Sequence, residues 1–449
     1  MVPPTTTRPP QWRFWLCLAL AISTSVGIDA VVDNVVLARG VAIAAFCLAL
    51  WLLEAVPPFV PTLVLVASVP LVLAGLTSAD GSVEAFSLTQ VLRWTMEPVV
   101  ALFFGGFVLA AAAQATALDV ALAQVVLRLA RGRVRSLVIV IAVGAAFLSM
   151  WMSNIAAAAL LLTTLAPALS GMSDANRRAV LVALAMGANL GGMASPVGSG
   201  PNAIAMAALA DMTFVRWMLL GVPLAAVALT LALGLVWWWL RPAGALPSST
   251  TVPTAMSQRS WWVVVVFVVT IAGWLLEPLH HIPSASVALV AAALLCVSGI
   301  VTTRALQQLD WSTLLVVAGG IVLGRLLERC GALNVLTPLL EPLHGHPLGV
   351  TAIVLVAALL SALMSNTATA TLLMPVAHIV TGDASAAVLV AMACSLGVPF
   401  VVSTPQNAMV VGHGVTSRDL LLVGLPVMLV MGMLVALTGT AVVALVMPR

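Results

Sequence analysis

The chain has 449 residues, of which 62% are hydrophobic and 7% charged, with a mean hydropathy of +1.17. These values exclude a soluble globular domain, and a formal net charge of +3 is too small and scattered to serve nucleic acid. What remains is an all-α polytopic membrane protein. Every basic residue is arginine, so charge reports topology, and Cys17, Cys47, Cys296, Cys330 and Cys394 lie too far apart for a metal cluster or disulfide framework.

Residues 1–15 show no small-residue cleavage site after the apolar run, which predicts a first membrane span over a cleaved signal. Apolar runs of about 20 residues, enough to cross roughly 30 Å of hydrocarbon, fall at 14–31, 36–53, 59–77, 98–117, 217–240, 260–276, 284–301, 312–327 and 420–446. Residues 134–169 and 347–381 are too long for one span, lack a polar loop for two, and are interrupted by Ser153-Asn154 and Ser365-Asn366. Each is predicted to be a re-entrant helical hairpin. Residues 178–215 and 384–415 carry Gly, Pro and Asn at their centres and read as discontinuous helices.

The two halves share landmarks in one order: Gly105-Gly106 with Gly319-Gly320, the two Ser-Asn hairpins, Pro201-Asn202 with Pro405-Gln406-Asn407, and LLGVPL with LVGLPV. Residues 98–240 and 312–449 are thus expected to be two inverted repeats. Residues 1–97 and 260–311 supply further helices, and the polar stretch 241–259 is the expected cytoplasmic linker.

With a cytoplasmic N-terminus, eleven crossings place Arg8, Arg13, Arg128, Arg131, Arg133, Arg135, Arg177, Arg178, Arg241, Arg259, Arg304 and Arg418 inside. Arg39, Arg93, Arg216, Arg325, Arg329 and Arg449 fall outside, and the excess inside favours this orientation. The first hairpin then enters from the cytoplasm and the second from outside.

Ser and Asn are good N-caps for a returning half-helix, whose free amides and positive dipole end suit an anion. At the breaks, Gly191, Gly192, Gly198 and Gly200 let the backbone leave the helix, and the freed carbonyls suit a hard monovalent cation. Carboxylates such as Glu54, Glu97, Asp119, Asp174, Asp211, Asp310 and Asp383 sit at span ends or in loops, and only His378 approaches the interior. Sodium held by neutral oxygens fits better than a proton relay, which calls for a buried titrating group. The chain has no intramembrane H-E-x-x-H, and without lysine it has no P-loop or Ser-Lys dyad, so an enzyme is not expected.

The SNTATATLLMP hairpin, its partner and the two broken helices resemble the divalent anion:sodium symporter family over about residues 40–446. The resemblance implies a homodimer in the inner membrane, with scaffold helices and an elevator-like transport domain. It implies sodium at Ser149, Ser153, Asn154 and the Gly198–Asn202 break, and at Ser361, Ser365, Asn366, Thr367 and the Ser403–Asn407 break. It places the substrate, a small carboxylate or oxyanion, at Asn154, Asn366 and Thr367 beside Pro201, Asn202, Pro405 and Asn407. A sodium-independent anion exchanger or an oxyanion efflux carrier is the alternative.

One departure bears on cargo. Ile155 replaces the family's threonine in the first motif while Thr367 keeps the hydroxyl in the second, and Met193 makes the first break more apolar. The expected substrate carries one strongly held anionic group.

Overall fold

Apolar runs become helices because an unpaired backbone group in hydrocarbon costs several kcal/mol and a helix pairs nearly all of its own. The structure is a computed structural model that describes residues 11–29, 34–53, 55–82, 84–209, 211–246, 256–332, 334–335, 347–383 and 385–447. Arg8, Glu54, Arg449 and linker residues 247–255 lie outside the described residues. Among the described residues the regular elements are all helical, and six are long and apolar enough to cross a membrane: Val35–Leu52, Pro98–Ala115, Phe214–Leu240, Gln258–Leu275, Trp311–Arg329 and Ser417–Val446.

Two expected crossings are shorter than their apolar sequence. Val60–Leu73 and Ser284–Val297 have 14 residues each, about 21 Å of helix. Gly75 and Gly299, with φ of 80° and 67°, turn the chain just beyond them. Helices Leu88–Thr95 and Leu118–Leu129 were not among the expected elements, because polar residues interrupt both apolar patterns.

Four segments depart from single uninterrupted helices. Helices Val134–Ser149 and Asn154–Ser170 pack on each other as a first hairpin, and Pro347–Leu363 and Asn366–Thr381 as a second. Asp174–Gly191 gives way to two 3-10 turns, Gly192–Ala194 and Pro196–Gly198, before helix Gly200–Ala207 resumes. In the second half Ala386–Cys394, the turn Val401–Ser403 and Pro405–Val411 repeat the pattern. The prolines open the resumed helices, where a missing N–H costs nothing.

The packing crosses between halves. Helix Gly200–Ala207 lies against the second hairpin and Ala386–Cys394, while Pro405–Val411 lies against the first hairpin and Asp174–Gly191. Hairpins, broken helices and the long helices Phe214–Leu240 and Ser417–Val446 share the largest buried core. Two outer cores flank it. One joins Pro98–Ala115 to Gln258–Leu275 and Ser284–Val297, and the other joins Val35–Leu52 and Val60–Leu73 to Trp311–Arg329.

One end of the large core is fastened by a charge network among residues that the arginine count puts on one side. Asp419, fully buried, accepts from Arg178 Nη1 at 3.1 and 3.2 Å, from Trp239 Nε1 at 2.9 Å, and from the Thr416 hydroxyl at 2.7 Å. Arg418 caps the Trp239 ring at 4.9 Å, so Trp239 fastens two helices. Removing the carboxylate strands several buried donors at once. Asp419→Ala is expected to cost about 3 kcal/mol, read as a lowered thermal unfolding midpoint of the detergent-solubilised protein.

Candidate functional site

At each hairpin the helix stops and restarts, and a serine one turn before the break reaches across it. Ser149 Oγ is 2.6 Å from the Ala188 carbonyl oxygen and 2.5 Å from Asn154 Oδ1. In the second half Ser361 Oγ is 2.6 Å from the Cys394 carbonyl oxygen and 2.7 Å from Asn366 Oδ1. A hydroxyl has one proton to give, so each cluster of three oxygens holds a single hydrogen and carries surplus lone-pair density. Both serines are buried, whereas Asn154, Asn366 and Thr367 are half-buried and accessible at the tips.

The breaks come up against the tips because glycine lets backbone approach. A Cβ on Gly192 would sit 2.6 Å from Asn154 Oδ1, and one on Gly200 would overlap the Thr367 hydroxyl. Gly198 in turn lies against the Gly192 carbonyl. Ser149, Asn154, Gly192 and Gly198 are thus brought together in the first half, and Ser361, Asn366 and Ser403 in the second, where Ser403 Oγ donates to the Ala362 carbonyl at 2.7 Å.

Asn202 and Asn407, expected near the substrate, are fully buried and tie the breaks closed. Asn202 Nδ2 donates to the carbonyls of Gly192 and Ser195 at 2.9 and 2.8 Å, and Asn407 Nδ2 to those of Val398 and Phe400 at 2.9 and 2.8 Å. Pro201 and Pro405 occupy the first turns of the same resumed helices. Asn407 Oδ1 also accepts from Asn189 Nδ2 at 3.0 Å, which joins the two broken helices directly. Asn189 Oδ1, Asn202 Oδ1, Ser199 Oγ and Gln406 Oε1 are buried with no hydrogen-bond partner among the described residues. A buried oxygen left over in this way is one that an ion or a water can use.

The hairpin tips differ. Ser153 caps its returning helix by accepting from Ala156 N at 3.2 Å, whereas Ser365 makes no side-chain cap, so the second tip keeps its first-turn amides free. Ile155 is 44% exposed at the first tip, where the second presents Thr367. His378 is exposed on its helix, away from these oxygens.

Asn189 and the carbonyls of Ala188 and Cys394 were not among the expected site residues. The paired strings ANLG and CSLG, at 188–191 and 394–397, carry the signal: a polar residue before Leu-Gly at the same place in both halves. The close contact at Gly200 gives a stability test. Gly200→Ala is expected to cost about 1–3 kcal/mol by overpacking. Gly234→Ala, with open space at its Cβ in a helix interior, is expected to gain roughly 0.5–1 kcal/mol. Opposite shifts in thermal unfolding midpoint report both.

Comparison with known proteins places the sequence in a family. Residues 48–393 match the family model described as citrate transporter, CitMHS. An uncharacterized transporter of Haemophilus influenzae is 32% identical over 435 residues, covering 89% of this chain and 90% of that protein. A sodium-dependent dicarboxylate transporter, SdcS, of Staphylococcus saprophyticus is 24% identical, covering 70% of each chain. The inorganic phosphate transporter PHO87 of Saccharomyces cerevisiae is 25% identical over 80% of this chain, which spans only 40% of the yeast protein. The chain belongs to the CitMHS citrate transporter family and is an integral membrane transporter, not an enzyme.

Proposed function

We propose that the protein is a secondary active carrier that moves a small organic anion or inorganic oxyanion together with sodium. The observation that carries this reading is the duplicated three-oxygen cluster, Ser149 with Asn154 and Ala188, and Ser361 with Asn366 and Cys394. Each is rich in neutral, hard oxygens and poor in protons, which suits a monovalent cation of small radius. The unpartnered oxygens of Asn189, Asn202, Ser199 and Gln406 on the broken helices add further neutral acceptors. Ser149, Asn154, Ser361 and Asn366 would hold sodium, with Ser153, Gly198, Ser365 and Ser403 shaping the backbone around it.

Sodium supplies positive charge beside two helix N-termini, and each tip then offers amides to an anion. The free first-turn amides at Asn366 and the Thr367 hydroxyl make the second tip the stronger anion seat. Ile155 makes the first tip apolar. A cargo with one firmly held anionic head fits this asymmetry, and the dicarboxylate and phosphate carriers among the relatives bracket its chemistry. Asn202 and Asn407 act as positioning residues that tie off the breaks and fix the path of the backbone through them.

The large core would move as one body between the outer helices in an elevator-like cycle, with hairpins re-entering from opposite faces. Assembly as a homodimer in the inner membrane with a cytoplasmic N-terminus belongs to the same reading. It draws on the family likeness and the arginine distribution.

Uptake of succinate, citrate and phosphate into proteoliposomes, with sodium replaced by choline, tests coupling. Uptake is expected to fall to background without sodium, and unchanged uptake identifies a sodium-independent exchanger instead. Asn366→Ala is expected to abolish transport, and normal transport by that variant overturns the site. Ile155→Thr adds a hydroxyl contact worth about 1.5–3 kcal/mol and is expected to tighten dicarboxylate binding roughly tenfold or more, measured by competition against the preferred substrate.

A further inference from the structure

We infer that Trp151, at the tip of the first hairpin, is a releasable aromatic latch. It biases the carrier toward the conformation in which that hairpin is docked on helix Gln258–Leu275. The inference rests on the reading that hairpins move past the outer helices, and it adds an energetic asymmetry that the reading does not contain.

The Trp151 ring lies parallel to Trp274 and to Phe214, with centroids at 6.2 and 6.3 Å and interplanar angles of 10°. Phe267 meets its edge at 5.7 Å, and Phe214 stacks on Trp274 at 4.6 Å. Trp151 and Phe214 belong to the outer core rather than to the large one that holds the rest of the hairpin. Trp274 is anchored, since its indole N–H donates to the Ser284 carbonyl at 3.0 Å. The indole N–H of Trp151 is buried and has no hydrogen-bond partner among the described residues. The hairpin tip therefore meets this core through apolar contact, from the Trp151 ring and its neighbour Met150, and the Trp151 indole can leave without breaking a hydrogen bond, which suits a joint that must open.

The other half shows the same joint without its aromatic parts. The string WLLE occurs at 51–54 and again at 274–277, so Trp51 is the sequence counterpart of Trp274. Its indole N–H is also anchored, on the Pro58 carbonyl at 2.8 Å. Counting back from the two Ser-Asn pairs, Leu363 is the counterpart of Trp151, and counting from WLLE, Ala44 is that of Phe267. Leu363 is 58% exposed. Beside Trp51 lies a cavity of about 500 Å³, lined by Leu48, Thr24, Met364, Ala368 and Leu372. One hairpin tip is seated among rings, and the other stands beside a space.

In inverted repeats the two end states exchange the surroundings of the two halves. The state reached by undocking the first hairpin would seat the second against Trp51, where Leu363 supplies no stacking. The docked state of Trp151 is favoured by the difference.

Spin labels at Ile139→Cys on the first hairpin and Val269→Cys on helix Gln258–Leu275, both exposed positions, report docking as a distance distribution. A Cys296→Ala background suffices, because the other four cysteines are buried. Trp151→Leu is expected to raise the undocked population roughly three- to tenfold, and Trp274→Leu to do the same. Trp151→Phe, which keeps a ring, is expected to stay near the parent. Leu363→Trp, which leaves the first joint untouched, is expected to raise the undocked population by building a second latch. An unchanged distribution in both Trp151→Leu and Leu363→Trp, in protein that elutes as one species, overturns the latch. If sodium and anion still shift the parent's distances, the carrier reading survives that result. A single distance in every variant and condition overturns both.

Discussion

Everything at the centre of this protein depends on how backbone groups are satisfied where a helix is interrupted inside an apolar core. Two hairpins and two broken helices leave carbonyls and amides without helical partners, and each uncompensated group costs several kcal/mol. Asn202 and Asn407 absorb four of these carbonyls with their side-chain amides, and Ser149 and Ser361 absorb two more. What those side chains leave over, oxygens without protons and N-termini without caps, is what a cation and an anion would use. Stability and ligand chemistry are the same hydrogen-bond accounting seen from two sides.

The breaks were legible in sequence because the residues that permit them are rare in apolar runs. Ser-Asn, Gly-Gly and Pro-Asn stand out against leucine and alanine, and helices stop or restart beside them at Ser149, Asn154, Gly191, Gly200, Leu363, Asn366 and Pro405. Tertiary partners were less legible. Nothing in one string says that the Ala188 carbonyl faces Ser149, or that Asn189 crosses to Asn407. The ANLG and CSLG strings become readable only once the two halves are laid over each other. Helix Leu118–Leu129 escaped because an amphipathic pattern gives no continuous apolar run. The short helices Val60–Leu73 and Ser284–Val297 ended early because glycine turns the chain before the apolar composition runs out.

The duplication is imperfect in ways that all tilt one way. The second tip keeps a hydroxyl and free amides, whereas the first has an aliphatic side chain and a capped start. The first tip is seated in rings, whereas its counterpart stands beside a cavity. A strictly symmetric pair would hold two-headed cargo evenly and spend equal time in two equivalent states. In the proposed carrier, divergence at Ile155, Trp151 and Leu363 would let one half specialise in recognition and the other in timing.

The strand of chain that leaves Phe214–Leu240 is strapped down before it reaches the next helix. Leu246 N donates to the Gly132 carbonyl at 2.8 Å, Val134 N to that of Gly244 at 3.2 Å, and Asn176 brackets Ala243. The base of the first hairpin therefore carries this strap with it. Only residues 247–257 connect the strap to the start of Gln258–Leu275. Eleven residues reach at most roughly 37 Å fully extended. In an elevator-like cycle of the kind proposed, that contour length would be a leash: it would cap how far the hairpin body could travel from its neighbour, and shortening it by deletion would limit the stroke without touching either ion or cargo.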